Sequence, residues 1–157
     1  MKILFICTHN RCRSILAEAI CNHYGGQELQ AASAGSSPAG QVHALTIRAL
    51  QDNEIPTDDL RSKSWDEMEG EEFDYVITVC DKAANEACPV WFGKSRQVHW
   101  GLKDPSAVQG EPEEVSAAFR HSIKILEQRI KQIKSYLQQD IAGDQLFDNI
   151  QRLADSE

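Results

Sequence analysis

Ile3-Leu4-Phe5-Ile6 is a continuous apolar run, and the polar stretch Cys7–Ser14 follows it without a spacer. Such a run fits a strand covered on both faces, as in a parallel sheet. Ile15, Leu16, Ala19, Ile20 and Tyr24 then recur at helical spacing until Gly25-Gly26 stops the helix. Ser14 stands where an N-cap belongs. Residues 28–34, 75–79 and 97–100 supply three further strands. Val42, Leu45 and Ala49 predict a second helix that ends before Pro56. From Pro112, apolar residues step by three and four through Leu137, which predicts one long helix. Gly143 opens a last short helix, polar and expected to be peripheral. Strands alternating with helices predict an α/β domain: a four-stranded parallel sheet flanked by helices. We expect one domain over 1–140 and a helical extension over 141–157. Right-handed crossovers place ligands at the carboxyl ends of the strands. Cys7–Ser14, Cys80–Cys88 and Gly101–Pro105 then gather at one sheet edge.

The first of these segments reads Cys7-Thr8-His9-Asn10-Arg11-Cys12-Arg13-Ser14. Between a buried strand and a helix, such a loop can wrap an oxyanion with its backbone N–H groups, and the helix N-terminus adds positive potential. Arg13 can offer a planar fork to two oxygens. The same field favours Cys7 as a thiolate nucleophile, with Ser14 donating its hydroxyl to it. Zinc is a poor alternative, because Cys7, His9, Cys12 and His23 have no ligand spacing.

Asp104-Pro105 is expected to form a turn at a strand's carboxyl end. A carboxyl there can give a proton to a departing oxygen. Cys80 closes a buried strand, and Cys88 lies eight residues on. Were the intervening stretch helical, their Cα atoms would stand about 12 Å apart. A disulfide needs roughly 5.5 Å. The pair can bond only if the segment loops or partly melts, and Lys82–Ala87 has no large hydrophobe to prevent that.

The chain carries 24 acidic against 16 basic residues, a formal net charge of −8. That balance argues against nucleic-acid and anionic-membrane partners, though not against a small anion. No apolar run approaches the roughly 20 residues of a membrane span, and Met1–Ile6 is too short for a signal-peptide core. The expected compartment is the cytoplasm, where five cysteines stay reduced and serve chemistry or packing.

Cys-Thr-His-Asn-Arg-Cys-Arg-Ser at 7–14 resembles the phosphate loop of low-molecular-weight protein tyrosine phosphatases and of the arsenate reductases that share their fold. Asn10 matches the family's loop asparagine, and His9 stands where glycine is common. Ser33-Ala34-Gly35 resembles the second-strand ending and Lys103-Asp104-Pro105 the acid loop. The resemblance covers roughly residues 1–140. It implies an oxyanion site built from Thr8, His9, Asn10, Arg11, Cys12 and Arg13, with Cys7 as nucleophile, Ser14 beside it and Asp104 as acid. Two cysteines after the third strand resemble the arsenate reductases, here spaced one residue wider than in the best-known thioredoxin-coupled members. The implied reaction reduces arsenate to arsenite: Cys7 attacks arsenic, Cys80 and then Cys88 resolve the sulfur. No cofactor or metal is expected. An external thiol reductant, thioredoxin or glutathione/glutaredoxin, restores the thiols, and a monomer is the family's default.

A tyrosine phosphatase is the runner-up. It needs an aromatic wall; residues 25–64 contain no Phe, Tyr or Trp, which leaves Trp65, Trp91 and Trp100. A non-catalytic anion sensor would keep the cradle without needing Cys80, Cys88 and Asp104 together. Asn10, Glu18 and Ser33 either order the loop jointly, with or without a cation, or are surface groups. Cys12 is a redox partner of Cys7 or a small buried side chain, and Cys21 is filler. Lys124, Arg129, Lys131 and Lys134 read as the solvated face of the long helix.

Overall fold

A computed structural model describes residues 1–86 and 89–156. Four strands, β1 (Lys2–Ile6), β2 (Gln30–Ala34), β3 (Tyr75–Thr78) and β4 (Arg96–His99), form one sheet in the order β2-β1-β3-β4, with every pair parallel. Among the described residues, five α-helices connect or flank them: α1 (Arg13–Tyr24), α2 (Ala44–Asp52), α3 (Asp81–Ala84), α4 (Pro112–Gln138) and α5 (Gly143–Arg152). Strand order reverses at β1, so the chain leaves β1 and β3, its two central strands, side by side. That is the topological switch point, where an open α/β sheet offers a crevice.

Burial explains the apolar run. Ile3, Leu4, Phe5 and Ile6 are all fully buried, covered on both sides of the sheet as parallel strands require. The long helix begins with Pro112 in its first turn and Glu113 and Glu114 behind it, which suits the positive end of its dipole. Its Phe119, Ile123, Leu126, Ile130 and Ile133 are buried, and α4 packs on α1.

Three expectations are corrected. Ser14 is not the N-cap of α1: Cys12 holds that position without a side-chain cap, and the Ser14 hydroxyl is taken by tertiary partners. Arg129 is not solvated. It is 2% exposed, stands 5.3 Å from the Trp100 ring centre and donates to the carbonyls of Ala154 and Ser156. Nor is α5 peripheral. Its Leu146 and Ile150 join the core, and the Trp100 indole donates to Ile150 O at 3.0 Å. Two apolar residues four apart suffice to bury one stripe of an otherwise polar helix. Among the described residues, no helix is long and apolar enough to cross a membrane.

Candidate functional site

The loop after β1 is turned so that its carbonyls face outward. Thr8 O accepts from Ser37 N, His9 O from Ala39 N and the Ser62 hydroxyl, and Arg11 O from His43 N and the Thr46 hydroxyl. Among the described residues, the amides of Thr8 to Cys12 donate to no carbonyl or side chain. Buried amides are almost always paired; a ring of them at the start of α1 is a site for an anion's oxygens. The side chains of His9 and Arg11 are exposed, and His9 Nδ1 lies 3.1 Å from Ser37 O.

Asn10 holds the turn. Its backbone is left-handed (φ 45°), a conformation asparagine tolerates better than most residues. Its amide nitrogen donates to Ser14 Oγ at 2.7 Å and Ser33 Oγ at 3.0 Å, and its carbonyl accepts from Lys63 N at 2.9 Å. Ser33 in turn donates to Glu18, whose carboxylate lies 3.4 Å from the Lys63 ammonium. Asn10, Glu18 and Ser33 are therefore one ordering network rather than surface groups. The Lys63 side chain, 9% exposed, supplies its positive charge from within the chain. Lys63 was not singled out in the sequence, and no spacing rule points from position 18 to position 63.

Ser14 Oγ accepts from Asn10 and lies 2.8 Å from Cys7 Sγ, so its own proton is available to that sulfur when Cys7 acts as a thiolate. Cys7 is buried at the mouth of the amide ring. Gly35, at the end of β2, lets this loop approach: a Cβ there would lie 2.5 Å from Thr8 O and 2.7 Å from Cys7 O.

Strand pairing runs on past β4 and carries the Asp104-Pro105 loop to the same edge. Trp100 N bonds Thr78 O, and Leu102 N bonds Val79 O. Leu102 O then accepts from Arg13 Nη1 at 3.0 Å, and Arg13 Nη2 stands 3.8 Å from Asp104 Oδ2. The other carboxylate oxygen, Oδ1, is held by the amide and hydroxyl of Ser106 at 2.9 and 2.6 Å. Oδ2 is thus the oxygen turned toward the cradle.

Cys80 arrives at the end of β3. It caps α3, accepting from Ala83 N, and its sulfur lies 3.8 Å from Thr8 Oγ1. Helix α3 ends at Ala84, closed by Asn85, so the fully helical spacing considered for Cys80 and Cys88 does not apply to its described part. Cys88 lies outside the described residues. Glu86, two residues before it, bonds the hydroxyls of Thr8 (2.7 Å) and Ser36; the sequence placed it in the motif but gave it no task.

Cys12 is buried in the same loop as Cys7. Burial pushes its thiol up to about 11, and Asp104 and Cys7 nearby add to that. Cys21, fully buried on α1, is pushed up by burial to about 12. Trp100 is fully buried and cannot form an aromatic wall; Trp65 packs edge-on against Phe92 at 5.5 Å. Among the described residues, no group of His, Cys, Asp and Glu is placed to hold a metal.

Residues 2–143 match the family described as low molecular weight phosphotyrosine protein phosphatase. The chain is 35% identical to an arsenate reductase of Halalkalibacterium halodurans over 129 residues, 82% of this chain and 91% of that one. It is 32% identical to an arsenate reductase of Bacillus subtilis over 130 residues, 83% and 92% of the two. Among solved structures it is similar to a thioredoxin-dependent arsenate reductase of Corynebacterium glutamicum, with TM-score 0.65 and 27% identity. That match covers 88% of this chain but 62% of the other. An arsenate reductase of Archaeoglobus fulgidus superposes with TM-score 0.69 at 25% identity, over 85% and 98% of the two chains.

Proposed function

Because the chain belongs to the low molecular weight phosphotyrosine protein phosphatase family, and because a second buried thiol stands beside its nucleophile loop, we propose that it reduces arsenate to arsenite by a cysteine relay. The second thiol, Cys80, carries this reading. Ester hydrolysis needs only Cys7, Arg13 and an acid. A thiol one hydroxyl away from that loop adds the means to take up oxidising equivalents.

Arsenate, a tetrahedral oxyanion, enters the ring of amides over residues 8–13 and meets the Arg13 fork. The Cys7 thiolate, with the Ser14 hydroxyl donating to it, attacks arsenic. Asp104 protonates the departing oxygen through Oδ2, the oxygen that Ser106 leaves unbound. Cys80 then attacks the sulfur of the Cys7–arsenic adduct. The bonding pair stays on arsenic, which leaves as arsenite, and the two sulfurs form a disulfide. Cys88 attacks the Cys80 sulfur and frees Cys7. Cys80 is 3% exposed, so the segment has to move outward before a partner reaches the new disulfide. A short α3 with no bulky anchor makes that movement inexpensive. The reductant is an external dithiol that works by exchange. Thioredoxin is the donor favoured by the likeness to the Corynebacterium protein, ahead of glutaredoxin with glutathione. The protein works as a monomer in the cytoplasm, and its cradle hydrolyses simple phosphate esters weakly.

The test is one turnover without reductant. Reduced protein receives one equivalent of arsenate, free thiols are counted and disulfides are mapped by peptide mass. Two thiols lost, one arsenite formed and a Cys80–Cys88 linkage are expected. Accumulation of Cys7–Cys80 would remove Cys88 from the relay. Survival of all thiols alongside rapid p-nitrophenyl phosphate hydrolysis would make the protein a phosphatase.

A further inference from the structure

We infer that Glu86 is a positioning residue that turns the Thr8 hydroxyl into the proton acceptor of Cys80 and receives that proton itself; the inference rests on the reductase reading above. Thr8 Oγ1 donates to Glu86 Oε1 at 2.7 Å. A hydroxyl has one proton to give. With it committed to the carboxylate, Thr8 presents only lone pairs to Cys80 Sγ, 3.8 Å away. The Cys80 sulfur already accepts the Ala83 amide, so its S–H is the group left to meet Thr8. The Ser36 hydroxyl binds the other carboxylate oxygen, Oε2, and thereby keeps Oε1 turned to Thr8. The line runs thiol, hydroxyl, carboxylate.

Burial makes the line matter. Cys80 and Thr8 are 3% and 5% exposed, so bulk water does not collect the proton and a hydrogen-bonded chain has to. Among the described residues, no other carboxylate and no imidazole is bonded to Thr8 or Cys80.

The step balances as follows. The Cys80 sulfur bonds the Cys7 sulfur while the Cys7–arsenic bond breaks. Its electron pair remains on arsenic, which goes from As(V) to As(III), and the two sulfurs are oxidised to a disulfide. The Cys80 proton passes to Thr8 Oγ1 as the Thr8 proton passes to Glu86 Oε1, leaving a neutral carboxyl. Neutralisation weakens the two charge-assisted bonds that tie Glu86 to the loops at positions 8 and 36. The segment between the two resolving cysteines is thus loosened in the step that requires Cys88 next.

Glu86→Gln keeps the acceptor oxygen and the shape but is not a base. Arsenite release in a single turnover is compared with steady hydrolysis of p-nitrophenyl phosphate, which uses Cys7 without Cys80. Loss of a general base costs about 10²-fold or more, so the ratio of reduction to hydrolysis is expected to fall by at least about tenfold in Glu86→Gln. It should fall by less in Glu86→Asp, which retains a carboxylate one methylene short; should Glu86→Gln not fold, Glu86→Asp is read alone in the same way. Equal losses in both activities would make Glu86 merely structural and overturn the inference. Arsenite from the wild type with an unchanged ratio in the variants overturns the inference alone. No arsenite from the wild type overturns the reductase reading and this inference with it.

Discussion

Replacing Gly35 by alanine pushes directly on the loop after β1. The added Cβ lies 2.5 Å from Thr8 O, 2.7 Å from Cys7 O and 3.1 Å from Asn10 Cβ. Ordinary contact starts at 3.4 Å, so the two carbonyls must retreat by about 0.7–0.9 Å. Both are backbone atoms, and no side-chain rotation relieves them. Overpacking of this kind costs about 1–3 kcal/mol, and in a chain of this size each of those kcal/mol lowers the melting temperature by roughly 2–4 °C. The rate suffers more, because a misplacement approaching 1 Å costs about 10²-fold. The assay is p-nitrophenyl phosphate hydrolysis and single-turnover arsenite release, each with a thermal melt, on Gly35→Ala and on Gly93→Ala. A Cβ at Gly93 meets nothing within 4 Å, so that variant should stay within about 0.5 kcal/mol of wild type. A Gly35→Ala protein with wild-type rates and melting would refute the reasoning, since it would mean that the loop does not depend on this close approach.

Two further outcomes are expected. Lys63→Met leaves the Glu18 carboxylate, 12% exposed, without its cation; breaking such a pair costs about 3 kcal/mol, read as a lower melting temperature together with slower Cys7 chemistry. Iodoacetamide at pH 8 should alkylate Cys7 well before Cys12, whose thiol is pushed up to about 11 by burial, and peptide mass gives the order. The same shift has a sign for stability. Burial keeps the Cys12 proton on in the folded chain above the ordinary thiol value of 9.0, where the unfolded chain has lost it. That contribution is therefore intact below pH 9 and lost as pH rises toward 11, an alkaline fall that Cys12→Ala should lessen in a urea titration.

The four strands, the four longer helices and their order were legible because each rests on local pattern: an apolar run, a helical period, a glycine or proline stop. The loop after β1 was legible for the same reason, since Cys7, Arg13 and Ser14 sit within eight consecutive positions. Asp104 was reached by one further step, the rule that parallel strands deliver their carboxyl ends to one edge. Arg129 and α5 were misread because a charged or polar stretch is solvated only if nothing folds back over it. Here Trp100 and the chain from 153 to 156 do.

What the sequence by itself determined is the fold class and the chemistry on offer: a parallel sheet, an anion loop with a thiol in it, an acid and spare cysteines at one edge. Those are consequences of residue type and short spacing. Only the tertiary structure decided how they are aimed. Asn10 holds Ser14 beside Cys7, Lys63 reaches Glu18 across 45 positions, and Glu86 reaches Ser36 across 50. A hydrogen bond depends on distance and angle within a few tenths of an ångström, and no period or spacing in a chain carries that information between residues so far apart.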